Sequence, residues 1–127
     1  MGKKKIILMD DDLMIQNVTG KMISALGYEV DFAVNGEELL EKFAAANREG
    51  RLYDAVIMDL GIDLGMDAET VMPILLEKYP DVKVIVSSGN NYSPMVTKYA
   101  DYGFRGVLNK PYRLNILAET LEKIVGE

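Results

Sequence analysis

Asp10, Asp11 and Asp12 stand together early in this 127-residue chain, Asp59 stands near its middle, Ser87 and Ser88 close an apolar run, and Lys110 precedes a proline. Brought together, these groups could do one kind of chemistry well. Carboxylates held close repel one another and rise in pKa unless a cation neutralises them. The chain has no histidine and no cysteine, so acid–base or metal chemistry falls to carboxylates and lysine. An all-oxygen donor set selects a hard ion, Mg²⁺, Mn²⁺ or Ca²⁺, over Zn²⁺. Asp11 and Asp59 would bind it directly, Asp10 through water, and a loop carbonyl just after Asp59 would complete the shell. A lysine ammonium and the Ser88 hydroxyl are then the parts that steady a transferring phosphoryl group, and a carboxylate is a competent acceptor for it. Singly, each piece has a plainer reading: Asp12 as a helix cap, Ser-Ser-Gly as a turn, Lys-Pro as a loop.

Everything therefore depends on whether the elements deliver these residues to one place. Short runs rich in β-branched residues, Lys5–Met9, Tyr28–Val34, Ala55–Met58, Val82–Ser87 and Arg105–Leu108, read as strands, several of them buried on both faces. Between them, apolar residues recur at helical spacing. Ile15, Val18, Met22, Ala25 and Leu26 form the first stripe, closed by Gly27 at C′. Leu39, Leu40, Phe43 and Ala46 form the second, opened by Asn35 with Glu38 three residues on. Val71, Met72, Leu75, Leu76 and Tyr79 form the third, with Pro73 expected in its first turn. The fourth helix is expected to start at Ser93 and Pro94 and to bury Met95, Val96, Tyr99 and Ala100. Leu114, Leu117, Leu121, Ile124 and Val125 form the fifth.

Strict alternation, (βα)₅, implies an α/β fold with a parallel sheet, right-handed crossovers and helices on both faces. Ligands of such sheets bind beyond the carboxyl ends of the strands. Strands one, three, four and five end at Asp10–Asp12, Asp59, Ser87–Ser88 and Asn109–Pro111, so the acidic, hydroxyl and lysine groups share one edge.

The length suits one domain spanning 1–127, with no linker or repeat. No apolar run reaches a membrane span, and the aspartates after Met9 interrupt any signal-peptide core, so a cytoplasmic location is expected. A net charge of −6 without a basic stripe argues against nucleic-acid binding.

The strings Ile6-Ile7-Leu8-Met9-Asp10-Asp11-Asp12, Val56-Ile57-Met58-Asp59-Leu60, Val84-Ile85-Val86-Ser87-Ser88-Gly89 and Gly106-Val107-Leu108-Asn109-Lys110-Pro111 resemble response-regulator receiver domains along essentially the whole chain. The resemblance implies a flavodoxin-like sheet of order 2-1-3-4-5. It implies Asp59 as phosphoacceptor, Asp10 and Asp11 as the Mg²⁺-holding pair with the Gly61 carbonyl, Ser88 as the switch hydroxyl and Lys110 as the phosphate-facing lysine. It also implies a histidine kinase or histidine phosphotransfer protein as partner, and a signalling switch rather than an enzyme. The segments Ser88-Gly89-Asn90-Asn91-Tyr92-Ser93-Pro94-Met95-Val96 and Tyr102-Gly103-Phe104-Arg105-Gly106-Val107-Leu108 are similar to receivers fused to hybrid sensor kinases, so the chain is also read as a fragment of such a protein.

The chain departs from that pattern at Val107, where the family usually carries the aromatic that moves on activation, and at Asp63, Asp67 and Ala68, where many relatives have proline and glycines. Asp63 and Asp67 are expected as solvated loop residues. Three rivals remain in view. An aspartyl-phosphate hydrolase would want a second carboxylate at Gly61; a flavodoxin-like cofactor binder would want a Ser/Thr/Gly phosphate loop where three aspartates stand. A receiver-fold module that signals without phosphorylation is favoured only by Val107.

Overall fold

The computed structural model describes residues 3–90 and 92–126, so Asn91 of the hybrid-kinase-like segment lies outside it. Five parallel strands, β1 (Lys5–Met9), β2 (Glu29–Ala33), β3 (Ala55–Asp59), β4 (Val84–Ser88) and β5 (Gly106–Asn109), form one sheet in the order β2-β1-β3-β4-β5. The expected flavodoxin-like arrangement is the one found. Every residue of β3 and β4 is buried, which is why their sequences run apolar without alternation.

The sheet divides the core in two. On one face Ile7, Met9, Val56, Met58, Val84 and Val86 meet Leu39 and Phe43 of α2 (Gly36–Arg48) and Val71, Met72 and Leu75 of α3 (Ala68–Lys78). On the other, Ile6, Leu8, Ile57, Ile85 and Leu108 meet Ile23 of α1 (Leu13–Ala25) and Leu117, Leu121 and Ile124 of α5 (Leu114–Val125). Each such side chain, fully buried, contributes about 1.5–3 kcal/mol before the entropy of ordering the chain is set against it.

Three local expectations are corrected. The inward face of α1 is Thr19, Gly20 and Ile23, while Val18 is 53% exposed and Ala25 is exposed. A β-carbon on Gly20 would lie 2.5 Å from the Phe32 ring, so a small residue faces β2 there and Val18 turns away. Pro73 sits at the sixth residue of α3, on its exposed side, rather than in the first turn. Its ring therefore removes a bond that the Glu69 carbonyl would otherwise accept.

The fourth helix, α4, covers only Pro94–Thr97 and is followed by a 3-10 turn over Tyr99–Tyr102, with Tyr99 and Ala100 exposed. Ser93 caps it as expected, accepting from the Met95 N–H. Beyond it, Lys98 leaves helical geometry (φ −123, ψ 43) and Gly103 closes the segment in the left-handed region. Val96 and Thr97 before Lys98, and Tyr99, Asp101 and Tyr102 after it, offer a helix little intrinsic support.

The loop between β3 and α3 is tied to the start of α2. Gly36 donates to the Met66 carbonyl (2.7 Å), Asn35 Nδ2 to the Leu64 carbonyl (3.4 Å), and Met66 N–H to Glu37 Oε1. A β-carbon on Gly36 would lie 2.8 Å from Val71 Cβ and 2.9 Å from Met66 Cβ, atoms too near the backbone to swing aside. Gly36→Ala should therefore cost about 1–3 kcal/mol. In urea unfolding, an unchanged midpoint would contradict this packing.

Candidate functional site

The central position of β1 and β3 decides where the acids stand. Asp10 follows β1 directly, its N–H donating to the Ala33 carbonyl (2.9 Å), and it is 1% exposed. Its carboxylate is fixed by the Asp12 N–H (3.0 Å to Oδ1), and its carbonyl by Gln16 Nε2 (2.7 Å). Asp12 is the N-cap of α1, accepting from Met14 and Ile15 N–H, as its plainer reading expected. Asp11 turns toward the loop after β3 and accepts the Asp63 N–H (3.0 Å). Asp59, the last residue of β3, is 5% exposed and pairs in register with Ser87.

Lys110 arrives from β5, its N–H donating to the Ser88 carbonyl (2.9 Å). Its ammonium bridges two carboxylates, donating to Asp59 Oδ1 (2.9 Å) and Asp10 Oδ2 (3.0 Å). Gly61 and Ser88 line the same cavity, and a β-carbon on Gly61 would lie 3.4 Å from Asp59 Oδ2. The Ser88 hydroxyl is turned onto Asn90, accepting its N–H (2.9 Å) and donating to its carbonyl (3.3 Å). So five of the six expected site residues gather around one cavity through side chains or close approach, and Ser88 borders it with its hydroxyl engaged elsewhere. Val107, on β5 opposite Val86, is half-buried against the α2–α3 side of the core, away from that cavity.

Burial raises the pKa of Asp10, with the Asp59 charge adding to it; the Asp12 N–H and Lys110 pull it down without cancelling the rise. Burial also pulls Lys110 down, but its hydrogen bonds to Asp59 and Asp10 and their charges outweigh it, leaving the ammonium above the ordinary lysine value. The site is thus short of positive charge. Oxygens of Asp10, Asp11 and Asp59 lie within 4.8 Å of one another, and the donors are all hard, so the residues fit a divalent cation of the Mg²⁺ type.

Three contributors went unnoticed in the sequence. Gln16 stands one turn beyond Asp12, a spacing that could have flagged it. The Asp63 contribution is a backbone amide, invisible in residue type. Asp67, expected as a solvated loop residue, is the N-cap of α3, and its hydrogen bonds with Thr70 lower its pKa.

Comparison with known proteins is consistent in kind. The family model for the response regulator receiver domain matches residues 6–122. The chemotaxis protein CheY of Thermotoga maritima is 26% identical over 125 residues, covering 98% of each chain. Hybrid signal transduction histidine kinase L of Dictyostelium discoideum is 26% identical over 124 residues, covering 94% of this chain and 7% of that one. The crystal structure of response regulator protein TrrA from Thermotoga maritima, in complex with Mg²⁺ and BeF, superposes with a TM-score of 0.80 at 29% identity, covering 95% of this chain and 98% of that one. Against several longer relatives, this chain spans between 7% and 25% of their length.

Proposed function

This chain belongs to the response regulator receiver domain family, a signalling switch of two-component systems, and from that premise we propose that Asp59 is its phosphoacceptor and Mg²⁺ its cofactor. The observation that carries the proposal is the Lys110 ammonium held between the Asp59 and Asp10 carboxylates with Asp11 alongside. Asp10, Asp11, Asp59 and the Gly61 carbonyl would hold Mg²⁺, which when bound neutralises these acids and the charge on the phosphoryl oxygens.

The remaining work belongs to the chain. Asp59, anchored at the end of a fully buried strand, presents an oxygen in line with the incoming phosphorus. A P–N bond to a donor histidine breaks as the P–O bond to Asp59 forms, and the imidazole leaves with the electron pair of the broken bond. Lys110 then exchanges its Asp59 contact for a phosphoryl oxygen, and Ser88, released from Asn90, donates to another. The sequence holds no histidine, so the donor is a histidine kinase or phosphotransfer protein, or a further domain of a hybrid sensor kinase. A single receiver domain over 1–127, acting on the cytoplasmic side and catalysing its own phosphorylation and dephosphorylation, is part of the same reading; no helix among the described residues is long and apolar enough to cross a membrane.

The test is intact mass after incubation with acetyl phosphate, with Mg²⁺ or with a chelator. One phosphoryl group added only in the presence of Mg²⁺ is the expected result. No adduct in either condition would overturn the phosphoacceptor assignment and leave a phosphate-independent interaction module as the reading to pursue.

A further inference from the structure

Ser87 sits between the two strand residues that matter most, in register with Asp59 on β3 and next to Ser88, yet its own hydroxyl has no evident task. It is fully buried, and among the described residues it is the one buried side-chain polar atom without a hydrogen-bond partner. A hydroxyl in that condition disfavours the state that contains it.

A polar group on the same side of the sheet is the phenol of Tyr112, two residues beyond Lys110. Tyr112 packs against the α1–α5 half of the core, the half that Ile85 lines, and alternation along β4 turns Ser87 to the same side. In this structure the Tyr112 hydroxyl is 3.3 Å from Thr19 Oγ1 on α1, a long separation for two hydroxyls. Tyr112 thus touches α1, which follows the acidic triplet, and approaches β4, which ends at Ser88, while its own segment carries Lys110. It also forms one wall of a surface groove bordered by Met14, Val18 and Met22.

We propose that Tyr112 is a positioning residue whose hydroxyl exchanges Thr19 for Ser87 when the phosphoryl group engages Lys110 and Ser88. The inference rests on the phosphoacceptor reading above. Lys110 and Ser88 both turn toward the phosphoryl group, drawing the segment Lys110–Tyr112 and the end of β4 together. A long bond to Thr19 is given up, and the orphaned Ser87 hydroxyl gains a partner. The two states are exclusive in one respect: the phenol has a single proton, which it can donate to Thr19 or to Ser87 but not to both. It lies on the α1–α5 face of the sheet, opposite the face on which Val107 packs, so a bulky residue at position 107 is not required.

The test measures Mg²⁺–beryllofluoride binding by calorimetry in the wild type, Ser87→Ala, Tyr112→Phe, their double variant and Thr19→Val. Removing the partner of the activated state should weaken binding: Ser87→Ala and Tyr112→Phe by about five- to tenfold each, within the ordinary range of coupling between sites. The double variant should bind no more weakly than either single one, because both remove the same bond. Thr19→Val, which removes the competing partner, should tighten binding. Metal-free Ser87→Ala should melt at or above the wild-type temperature, so its weaker binding cannot be unfolding. Should Tyr112→Phe fold poorly, the opposite signs of Ser87→Ala and Thr19→Val still decide. Shifts of the same sign, or none, overturn the exchange while leaving the phosphoacceptor intact. A wild type that binds no beryllofluoride overturns both.

Discussion

Asp59→Asn should abolish the phosphoryl adduct outright while leaving the fold intact. The substitution keeps size and shape and retains an oxygen to accept the Lys110 hydrogen bond, 2.9 Å long. It removes the nucleophile, because an amide oxygen carries no formal negative charge to direct at phosphorus. It also removes one of the charges that raise Asp10, so the metal-free variant should be at least as stable as the wild type. Intact mass after acetyl phosphate and Mg²⁺ reads the first effect, and thermal melting in chelator reads the second. A full adduct on the variant would move the acceptor to another carboxylate, Asp10 or Asp11. A large drop in melting temperature would instead make Asp59 a structural anchor.

That prediction uses information that was legible in the residues. The strand ends were readable because buried parallel strands declare themselves as apolar runs, and whatever polar residue interrupts such a run stands at the sheet edge. Asp10 after Ile6–Met9 and Asp59 after Ala55–Met58 are of this kind. Helix faces were less legible. A stripe drawn through Val18 and Ala25 follows hydrophobicity, but α1 packs through Thr19 and Gly20 because the Phe32 ring leaves no room for anything larger. Spacing alone cannot reveal a contact decided by the partner's bulk.

The short α4 has a similar origin. Ser93 and Pro94 announce a helix start correctly, but nothing in the pattern of Met95, Val96, Tyr99 and Ala100 shows that Lys98 breaks it after one turn. Backbone contributions were the least legible of all. The Asp63 amide on Asp11 and the Gly36 amide on Met66 hold the loop over the site, and neither depends on the side chain that the sequence displays. Orientation also escaped it: Ser88 was placed at the site by type and position, and it borders the cavity, but its hydroxyl is committed to Asn90. In the proposed mechanism that commitment is the resting half of the switch.

Lys110→Met should lower the rate of phosphorylation about 100- to 1000-fold, the loss typical of removing one donor from developing negative charge. Methionine fills much the same volume as the lysine stem, so the effect reads the ammonium rather than packing. Stability should fall as well. Breaking a buried ion pair costs about 3–5 kcal/mol, but the Lys110 side chain is 23% exposed, so a loss of about 2 kcal/mol or less is expected in chelator at neutral pH. The pH dependence has a definite sign. The lysine value is raised by folding, so its contribution is fully present below the ordinary 10.5 and fades only as pH rises through the higher folded value. Asp10, also raised, is uncharged in acid and needs no partner there, so the deficit of the variant should shrink as pH falls through its folded value toward 3.8. Mg²⁺ at neutral pH should restore part of the lost stability, because it neutralises the same oxygens. Urea unfolding of both proteins, with and without Mg²⁺ from acid to neutral pH, measures each of these effects. A deficit that is constant with pH and indifferent to Mg²⁺ would mean that Lys110 acts through packing and not through its charge.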